Sequence, residues 1–191
     1  MGTNIALVLS RGVTPVDKID WHTMSNCMAT IQELFKMSET GKIIIFPVGG
    51  IFQPENVQKT PISILMEKFI KRNIETTIKF LYEEESLDTW QNIENFDAKI
   101  KQENIDVSTV YVFADKFHSK RVEILLKYYG YKNIVIPKSH IELSLKEKIK
   151  EIFFIIATFI DPSGIKNPII RKRLEKERRK RRDRTVYLNY R

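Results

Sequence analysis

The stretch NIALVLS, residues 4–10, is an almost uninterrupted apolar run and is the strongest single indication of the fold. Such a run is typical of a strand that is buried on both faces, as in a parallel sheet covered by helices. The runs that follow it along the chain are KIIIFPV (42–48), TIKFLY (77–82), VSTVYVFA (107–114) and NIVIP (133–137). The sequence therefore predicts five strands.

Helical patterns alternate with these strands. The first pattern is formed by Met24, Met28, Ile31, Leu34 and Phe35. A second helix is predicted to begin at Thr60-Pro61, with Thr60 as its N-cap. Three more helices are predicted over 88–101, over 118–129, where Gly130 ends the helix, and over 141–160. The alternation predicts an α/β fold, a three-layer Rossmann-like domain with a five-stranded mainly parallel sheet. We expect this domain to span 1–160 and a basic C-terminal extension to span 161–191.

The bulk composition fits one globular domain. The chain has 191 residues, of which 42% are hydrophobic. Its single cysteine, Cys27, excludes an internal disulfide and is expected in the core. The run IFFIIATFI (152–160) is far shorter than the roughly 20 residues of a membrane span and is predicted to be a buried helix. No signal-peptide pattern opens the sequence, so the expected location is cytoplasmic.

The positive charge is concentrated in one segment. Residues 171–184 hold ten Lys/Arg and three Asp/Glu, a net of +7 out of +8 for the whole chain. Such a segment can hold a nucleic acid or an anionic membrane surface electrostatically. The alternatives are a solvated helix with internal ion pairs and an extension that packs on a partner.

Polar residues and glycines follow four of the predicted strands. They are Ser10, Arg11 and Gly12 after the first, Gly49 and Gly50 after the second, Glu83, Ser86, Thr89 and Asn92 after the third, and Asp115, His118 and Arg121 after the fourth. The carboxyl ends of parallel strands share one edge, which is where open α/β sheets bind ligands. We therefore expect these four groups to converge on one site.

The predicted chemistry of that site is anion binding. Gly49-Gly50 can expose backbone N–H groups to an anion, although a glycine pair also suits a plain turn. The helix start at Ser86 and Thr89 favours a phosphate or carboxylate, although Asp88-x-x-Gln91 would also serve as a capping box.

A histidine and an arginine begin the fourth predicted helix. His118 is the predicted general acid/base, oriented by Glu83 or Asp115, and Arg121 is the predicted anion ligand. A solvated helix face is the alternative for both residues. No metal site is expected, since Glu83, Asp115 and His118 form only a weak set of ligands.

In combination, these motifs resemble the YdcF/SanA/ElyC-like domain family. The matching pieces are ALVLSRG, IIIFPVGG, the pattern E-x-x-S-x-x-T-x-x-N at Glu83, Ser86, Thr89 and Asn92, and FADKFHSKR, which contains His118 and Arg121. The resemblance covers about residues 4–140 and implies a Rossmann-like fold with its site at the carboxyl edge. It also implies polar site residues at Gly49, Gly50, Glu83, Ser86, Thr89, Asn92, His118 and Arg121.

The function implied by this resemblance is open, since most members of the family have no known function. Some are tied to the cell envelope and others to S-adenosylmethionine binding, and hydrolytic or phosphoryl chemistry is suspected for others. The chain departs from the pattern at Asp88, Gln91, Ala114-Asp115 and Val122. The main hypothesis is a hydrolase or transferase that acts on a phosphorylated or nucleotide-like compound. The alternative is a binding module for a nucleotide or S-adenosylmethionine.

Overall fold

A computed structural model of the protein describes residues 2–14, 16–54, 57–75, 77–138 and 141–186. For residues 177 and 180–186 it describes the backbone alone. Its strands are β1 Thr3–Leu9, β2 Val13–Thr14, β3 Lys18–Ile19, β4 Lys42–Val48, β5 Lys79–Phe80, β6 Val107–Phe113 and β7 Ile134–Val135. Its helices are α1 Trp21–Glu39, α2 Ile62–Arg72, α3 Thr89–Gln102, α4 Lys116–Tyr128, α5 Leu145–Ile160 and α6 Pro168–Val186.

The main sheet has five parallel strands in the order β5-β4-β1-β6-β7. The chain moves outward from β1 through β4 to β5, then crosses over to β6 and β7 on the other side. The direction of winding therefore reverses between β1 and β6, and the crevice at their carboxyl ends is the expected ligand position. The predicted α/β fold with a parallel Rossmann-like sheet is confirmed.

Alternate residues of β1 enter two separate hydrophobic cores. Ile5, Leu7 and Leu9 face the core formed with α3 and α4, whereas Ala6 and Val8 face the core formed with α1 and α2. All five side chains are fully buried, because helices cover both faces of the sheet. The apolar run that predicted the fold therefore lies at its centre. Cys27 is buried in the second core, as predicted.

Short polar side chains begin four of the helices. The caps are Asp20 for α1, Asp88 for α3, Asp115 for α4 and Ser144 for α5, each accepting a hydrogen bond from a backbone N–H of the first turn. The prediction that Thr60 caps α2 is wrong. Pro61 occupies the N-cap position, and the Thr60 hydroxyl instead donates to Asp17 Oδ2 at 2.8 Å.

Helix α5 is not the buried helix that its apolar sequence predicts. It packs on α4 along one side, where Ala157 and Thr158 are buried, but most of its apolar side chains face solvent. The prediction failed because an apolar sequence shows which side chains favour burial, but it does not show which elements will cover them. Neighbouring elements cover α5 on one side only. Among the described residues, no helix is long and apolar enough to cross a membrane.

The extension after residue 160 returns to the domain. Gly164, at a φ of 70°, lies in the connector between α5 and α6, and a β-carbon there would come within 3.0 Å of Trp90 Cδ1 and 2.9 Å of Leu174 Cδ1. Leu174 of α6 is buried in the core shared by α3 and α4. The N-terminal half of α6 therefore covers the carboxyl edge of the sheet.

Candidate anion-binding site

A cavity of about 250 Å³ opens at the carboxyl edge of the sheet. Its walls come from the loops after β1 and β4, from the starts of α3 and α4, and from one face each of α5 and α6. The lining residues that the sequence had singled out as site residues are Ser10, Arg11, Gly49, Ser86, Thr89, Asn92, His118 and Arg121. Three of the four predicted groups thus supply the cavity with two or more residues, and the glycine pair supplies one.

The glycine pair brings two loops together and does not offer its amides to a ligand. Gly49 N–H donates to the Glu83 carbonyl and Gly50 N–H donates to the Ser86 carbonyl, both at 3.0 Å. A β-carbon at Gly50 would lie 2.4 Å from the Glu84 carbonyl oxygen. The expectation that these amides bind an anion is therefore wrong, because the close backbone approach that glycine permits is to the loop between β5 and α3.

Glu83 organises that loop from behind the cavity. Its carboxylate accepts hydrogen bonds from the backbone N–H groups of Glu85 and Ser86, both at 2.7 Å, and from Asn95 Nδ2 at 2.9 Å. The Ser86 hydroxyl contacts both the Glu83 carboxylate and the Asn92 side-chain amide. These contacts fix the Ser86 hydroxyl at the cavity wall, so Glu83 acts here by positioning.

The start of α3 is capped as its sequence indicates. Asp88 Oδ1 accepts from Gln91 N at 3.0 Å, and Gln91 Oε1 accepts from Leu87 N at 2.9 Å. Asp88 also binds Arg178 of α6, with Nε to Oδ2 at 2.5 Å and Nη2 to Oδ1 at 3.3 Å. The carboxylate of Asp88 therefore caps the start of α3 and also forms an ion pair with α6.

Asp115, between β6 and α4, likewise caps a helix and forms an ion pair. Oδ1 accepts from the backbone N–H groups of Phe117 and His118, and Oδ2 accepts from Arg11 Nε at 2.8 Å. The side chain is fully buried and lies behind the cavity wall. Asp115 thereby sets the positions of Arg11 and His118, which both line the cavity.

The His118 ring is oriented by Thr89, and not by either predicted carboxylate. Its Nε2 lies 3.1 Å from Thr89 Oγ1, while the carboxylates of Glu83 and Asp115 bind the partners described above. Burial lowers the pKa of His118 well below its usual 6.5, and the nearby cations Arg121 and Arg11 lower it further. The imidazole is therefore neutral at pH 7.

One buried carboxylate lies between two arginines. Glu151 of α5 is within 3.5 Å of Arg11 through Oε1 and within 3.5 Å of Arg121 through Oε2. Burial lowers the pKa of Arg121, and the charge of Glu151 opposes that shift. Because Asp115 and Glu151 neutralise this arginine pair, the pair can remain charged inside the protein.

Three cations surround the ring of Phe154. The guanidinium carbons of Arg121 and Arg173 lie 5.0 and 5.4 Å from the ring centroid, and Lys150 Nζ lies 5.8 Å from it. Among the described residues, no carboxylate lies within 4 Å of the side-chain nitrogens of Lys150 or Arg173. Within the described ranges, the cavity is lined by four cations, Arg11, Arg121, Lys150 and Arg173, and by two carboxylates, Asp88 and Glu151.

Several hydrogen-bond donors at this cavity find no acceptor in the part of the chain that the structure describes. Arg11 Nη2, Arg121 Nε and Trp90 Nε1 are buried and have no hydrogen-bond partner among the described residues. Buried donors are rarely left unpaired in native proteins, so each is informative. One acceptor beside the cavity, Glu151 Oε2, also lacks a hydrogen bond among the described residues, so unpaired donors outnumber unpaired acceptors there by three to one.

The other predicted site residues lie behind the walls. Gly12, Gly50, Glu83 and Asp115 are absent from the lining, although Glu83 and Asp115 position residues that belong to it. Gly12 hydrogen bonds Thr23 through its N–H and carbonyl groups. Within the described ranges, no group of three or more His, Cys, Asp or Glu side chains could hold a metal ion.

The sequence patterns missed the walls contributed by α5 and α6. The lining residues of these walls lie 15 or more positions after the last strand, β7; they are Lys150, Glu151, Phe154, Arg173 and Leu174. The one local signal was Glu151, a single acid at the start of the apolar run of α5. That signal does not reveal its partners, which lie 140 and 30 positions earlier in the chain.

The fold and the site define a Rossmann-like α/β protein with a small cationic cavity at the switch point of its sheet. No protein-family model matches this chain, and no curated protein matches it. The resemblance to the YdcF/SanA/ElyC-like family therefore stays a prediction from the motifs.

Proposed function

We propose that the protein binds a small phosphorylated compound in the cavity at the carboxyl edge of its sheet. The observation that carries this proposal is the set of N–H donors on Arg11, Arg121 and Trp90 that lack an acceptor among the described residues. Beside them lie Lys150 and Arg173, which have no carboxylate within 4 Å in that same part of the chain. A phosphoryl group supplies several acceptor oxygens and negative charge in one compact unit. It therefore satisfies both features of the cavity.

The size of the cavity favours a small ligand. Pockets for drug-sized ligands hold about 300–1,000 Å³, and this cavity holds about 250 Å³. A phosphorylated metabolite or mononucleotide suits this volume better than S-adenosylmethionine or a dinucleotide does. S-Adenosylmethionine also carries a sulfonium cation, which Arg121 and Arg173 would repel.

The binding proposal is tested by calorimetry in phosphate-free buffer. The titrants are inorganic phosphate, a sugar phosphate, a nucleoside monophosphate and S-adenosylmethionine. Arg173→Gln removes a cavity cation, while Arg171→Gln makes the same change two residues earlier on α6, outside the lining. We expect a loss of about tenfold or more in phosphate-ester affinity for Arg173→Gln only. Equal affinity in both variants, or preference for S-adenosylmethionine, would contradict the proposal.

We further propose that His118 acts as a general acid/base in a hydrolase or transferase reaction. A neutral buried imidazole at the cavity wall can take a proton from an attacking water or hydroxyl, and Thr89 holds its Nε2 in place. Arg121 and Arg11 would stabilise charge on the transferred group. Glu83 and Asp115 support this chemistry by positioning Ser86, Arg11 and His118.

The catalytic proposal is tested with a panel of phosphoesters. His118→Gln removes the base, and His22→Gln is the matched control at the start of α1. We expect a fall in turnover of roughly 100-fold or more in His118→Gln with little change in the control. Tight binding without turnover in the unmodified protein would instead favour the non-catalytic binding module.

The basic segment 171–184 gives a second candidate function, as a contact for nucleic acid or an anionic membrane surface. Two arginines of this segment contact the rest of the protein: Arg173 lies over the phenylalanine rings of α5, and Arg178 forms an ion pair with Asp88. The other described cations, Arg171, Lys172, Lys176 and Arg179, are exposed. The side chains of 180–184 lie outside the described residues.

A further inference from the structure

Helix α5 presents an apolar face to solvent. The side chains of this α5 face are Leu145, Ile149, Ile152, Phe153, Ile156, Phe159 and Ile160, with exposed fractions from 46% at Phe153 to 76% at Phe159. Their spacing of three and four residues places them along one side of the helix, over about 22 Å. Contiguous apolar surface of this extent marks an interaction site in a folded protein.

The α5 face continues onto the start of α6. Ile165 in the connector before α6 is 64% exposed, and Ile169 at the start of α6 is 77% exposed. The Arg173 guanidinium lies 4.2 Å from the ring centroid of Phe153, and Ile169 is one helical turn before Arg173. The apolar residues and the first cations of α6 therefore form one continuous surface.

Cations flank this surface on both helices. Lys146 and Lys148 are exposed in the first turn of α5, and Lys166, Arg171 and Lys172 are exposed around the start of α6. The neighbouring segment 171–184 carries a net charge of +7. The partner must therefore accept apolar side chains and present negative charge beside them.

We propose that the α5 face docks the protein on an anionic membrane surface. A bilayer offers an apolar interior directly beneath its headgroups, so Ile156 and Phe159 can enter it while Arg171 and its neighbours remain among anionic headgroups. A nucleic acid would engage the cations but leave the apolar residues in water. A second copy of the chain would cover the apolar residues but bring two cationic borders together, which like-charge repulsion opposes.

Vesicle sedimentation tests this docking surface. The full chain is mixed with vesicles of phosphatidylcholine alone and with vesicles that also contain phosphatidylserine. The double variant Ile156→Gln/Phe159→Gln removes two exposed apolar side chains from the centre and end of the α5 face. The control is Phe35→Gln, because Phe35 on α1 is 74% exposed, nearly the same as Phe159, and lies on the opposite side of the sheet.

The charge contribution is tested by Arg171→Gln/Lys172→Gln. Its matched control is Lys68→Gln/Arg72→Gln on α2, which also removes two exposed cations but from the opposite layer. Neither pair lines the cavity. A melting curve and a calorimetric phosphate titration on each variant separate a docking defect from a folding defect or a defect in the cavity.

We expect the unmodified protein to bind the vesicles that contain phosphatidylserine and both controls to bind equally well. Binding should fall by about 100-fold in Ile156→Gln/Phe159→Gln. It should fall by about 30-fold in Arg171→Gln/Lys172→Gln, and only on the anionic vesicles.

Three results would overturn the proposal. The first is that the unmodified protein does not bind anionic vesicles. The second is that it binds them unchanged after Ile156→Gln/Phe159→Gln. The third is a concentration-dependent dimer in sedimentation velocity that this variant abolishes without any effect on vesicle binding, which would assign the α5 face to a second copy.

Discussion

At the scale of single residues, the site depends on where charge is buried. His118 is neutral because it is buried beside Arg121 and Arg11, and these arginines remain charged because Glu151 and Asp115 lie against them. A carboxylate on His118 would have raised its pKa. The ring instead contacts the Thr89 hydroxyl, which carries no charge. A neutral base and a positive anion site can therefore occupy the same small cavity.

The lowered pKa of His118 predicts a specific loss of stability in acid. The unfolded chain binds a proton near pH 6.5 and the folded protein does not. The free energy of unfolding should therefore decrease as the pH falls below about 6.5, by up to about 1.4 kcal/mol per pH unit from this group. His118→Gln should lose less stability than the unmodified protein between pH 6.5 and 5.

Urea unfolding at several pH values, in buffer without phosphate, measures this effect. His22→Gln controls for the loss of a histidine, since His22 lies outside the cavity. Parallel stability curves for His118→Gln and the unmodified protein would show that His118 binds its proton equally in both states.

At the scale of secondary-structure elements, the local sequence determines where the helices begin, and two of the N-cap residues also form ion pairs with residues distant in the chain. Asp88 and Asp115 were readable as polar residues at helix starts. Their second partners, Arg178 and Arg11, lie 90 and 104 positions away along the chain. Each cap thereby connects the start of a helix to another wall of the cavity. The caps hold the cavity together as well as beginning its helices.

The ion pair between Asp88 and Arg178 should stabilise the docking of α6. Asp88→Asn retains an amide oxygen for the cap of α3 but removes the charge that Arg178 binds. We expect Asp88→Asn and Arg178→Gln each to lower the free energy of unfolding. The double variant should be about as stable as either single variant, which corresponds to a coupling free energy of about 1 kcal/mol.

A double-mutant cycle measured in urea determines this coupling. Hydrogen exchange over 168–176 should increase in each single variant, because those amides belong to the helix that the pair holds. Additive losses in the double variant would show that the two side chains act independently.

At the scale of the whole molecule, the C-terminal helices complete a site that begins on the sheet. The five-stranded unit supplies His118, Arg121, Arg11 and Thr89, whereas α5 and α6 supply Lys150, Glu151, Phe154, Arg173 and Leu174. The boundary predicted at 160/161 divides a parallel-sheet domain from a basic extension in the sequence. In three dimensions, residues on both sides of that boundary line one cavity.

Leu174 should be the main apolar anchor of α6. Leu174→Ala removes a buried side chain from the core near Trp90, so we expect a loss of about 2–4 kcal/mol in the free energy of unfolding and weaker phosphate-ester binding. Ile169→Ala is the matched control, because Ile169 lies on the same helix and is 77% exposed. It should change stability by less than about 0.5 kcal/mol.

Chemical denaturation and calorimetry of the two variants test this expectation. Equal stability and equal phosphate affinity in both would show that α6 is not anchored through Leu174. A red shift of tryptophan fluorescence in Leu174→Ala alone would support its contact with the region around Trp90.

The sequence by itself determined the five strands of the parallel sheet, the helices between them and the edge at which polar residues gather. These follow from local apolar periods and from the rule that parallel strands end at one edge. The tertiary structure alone decided that the amides of Gly49 and Gly50 bind a loop, that Thr89 orients His118, and that α5 faces both the cavity and solvent. Such outcomes depend on how elements distant in the chain dock, and the period of a helix reveals its faces but not what covers them.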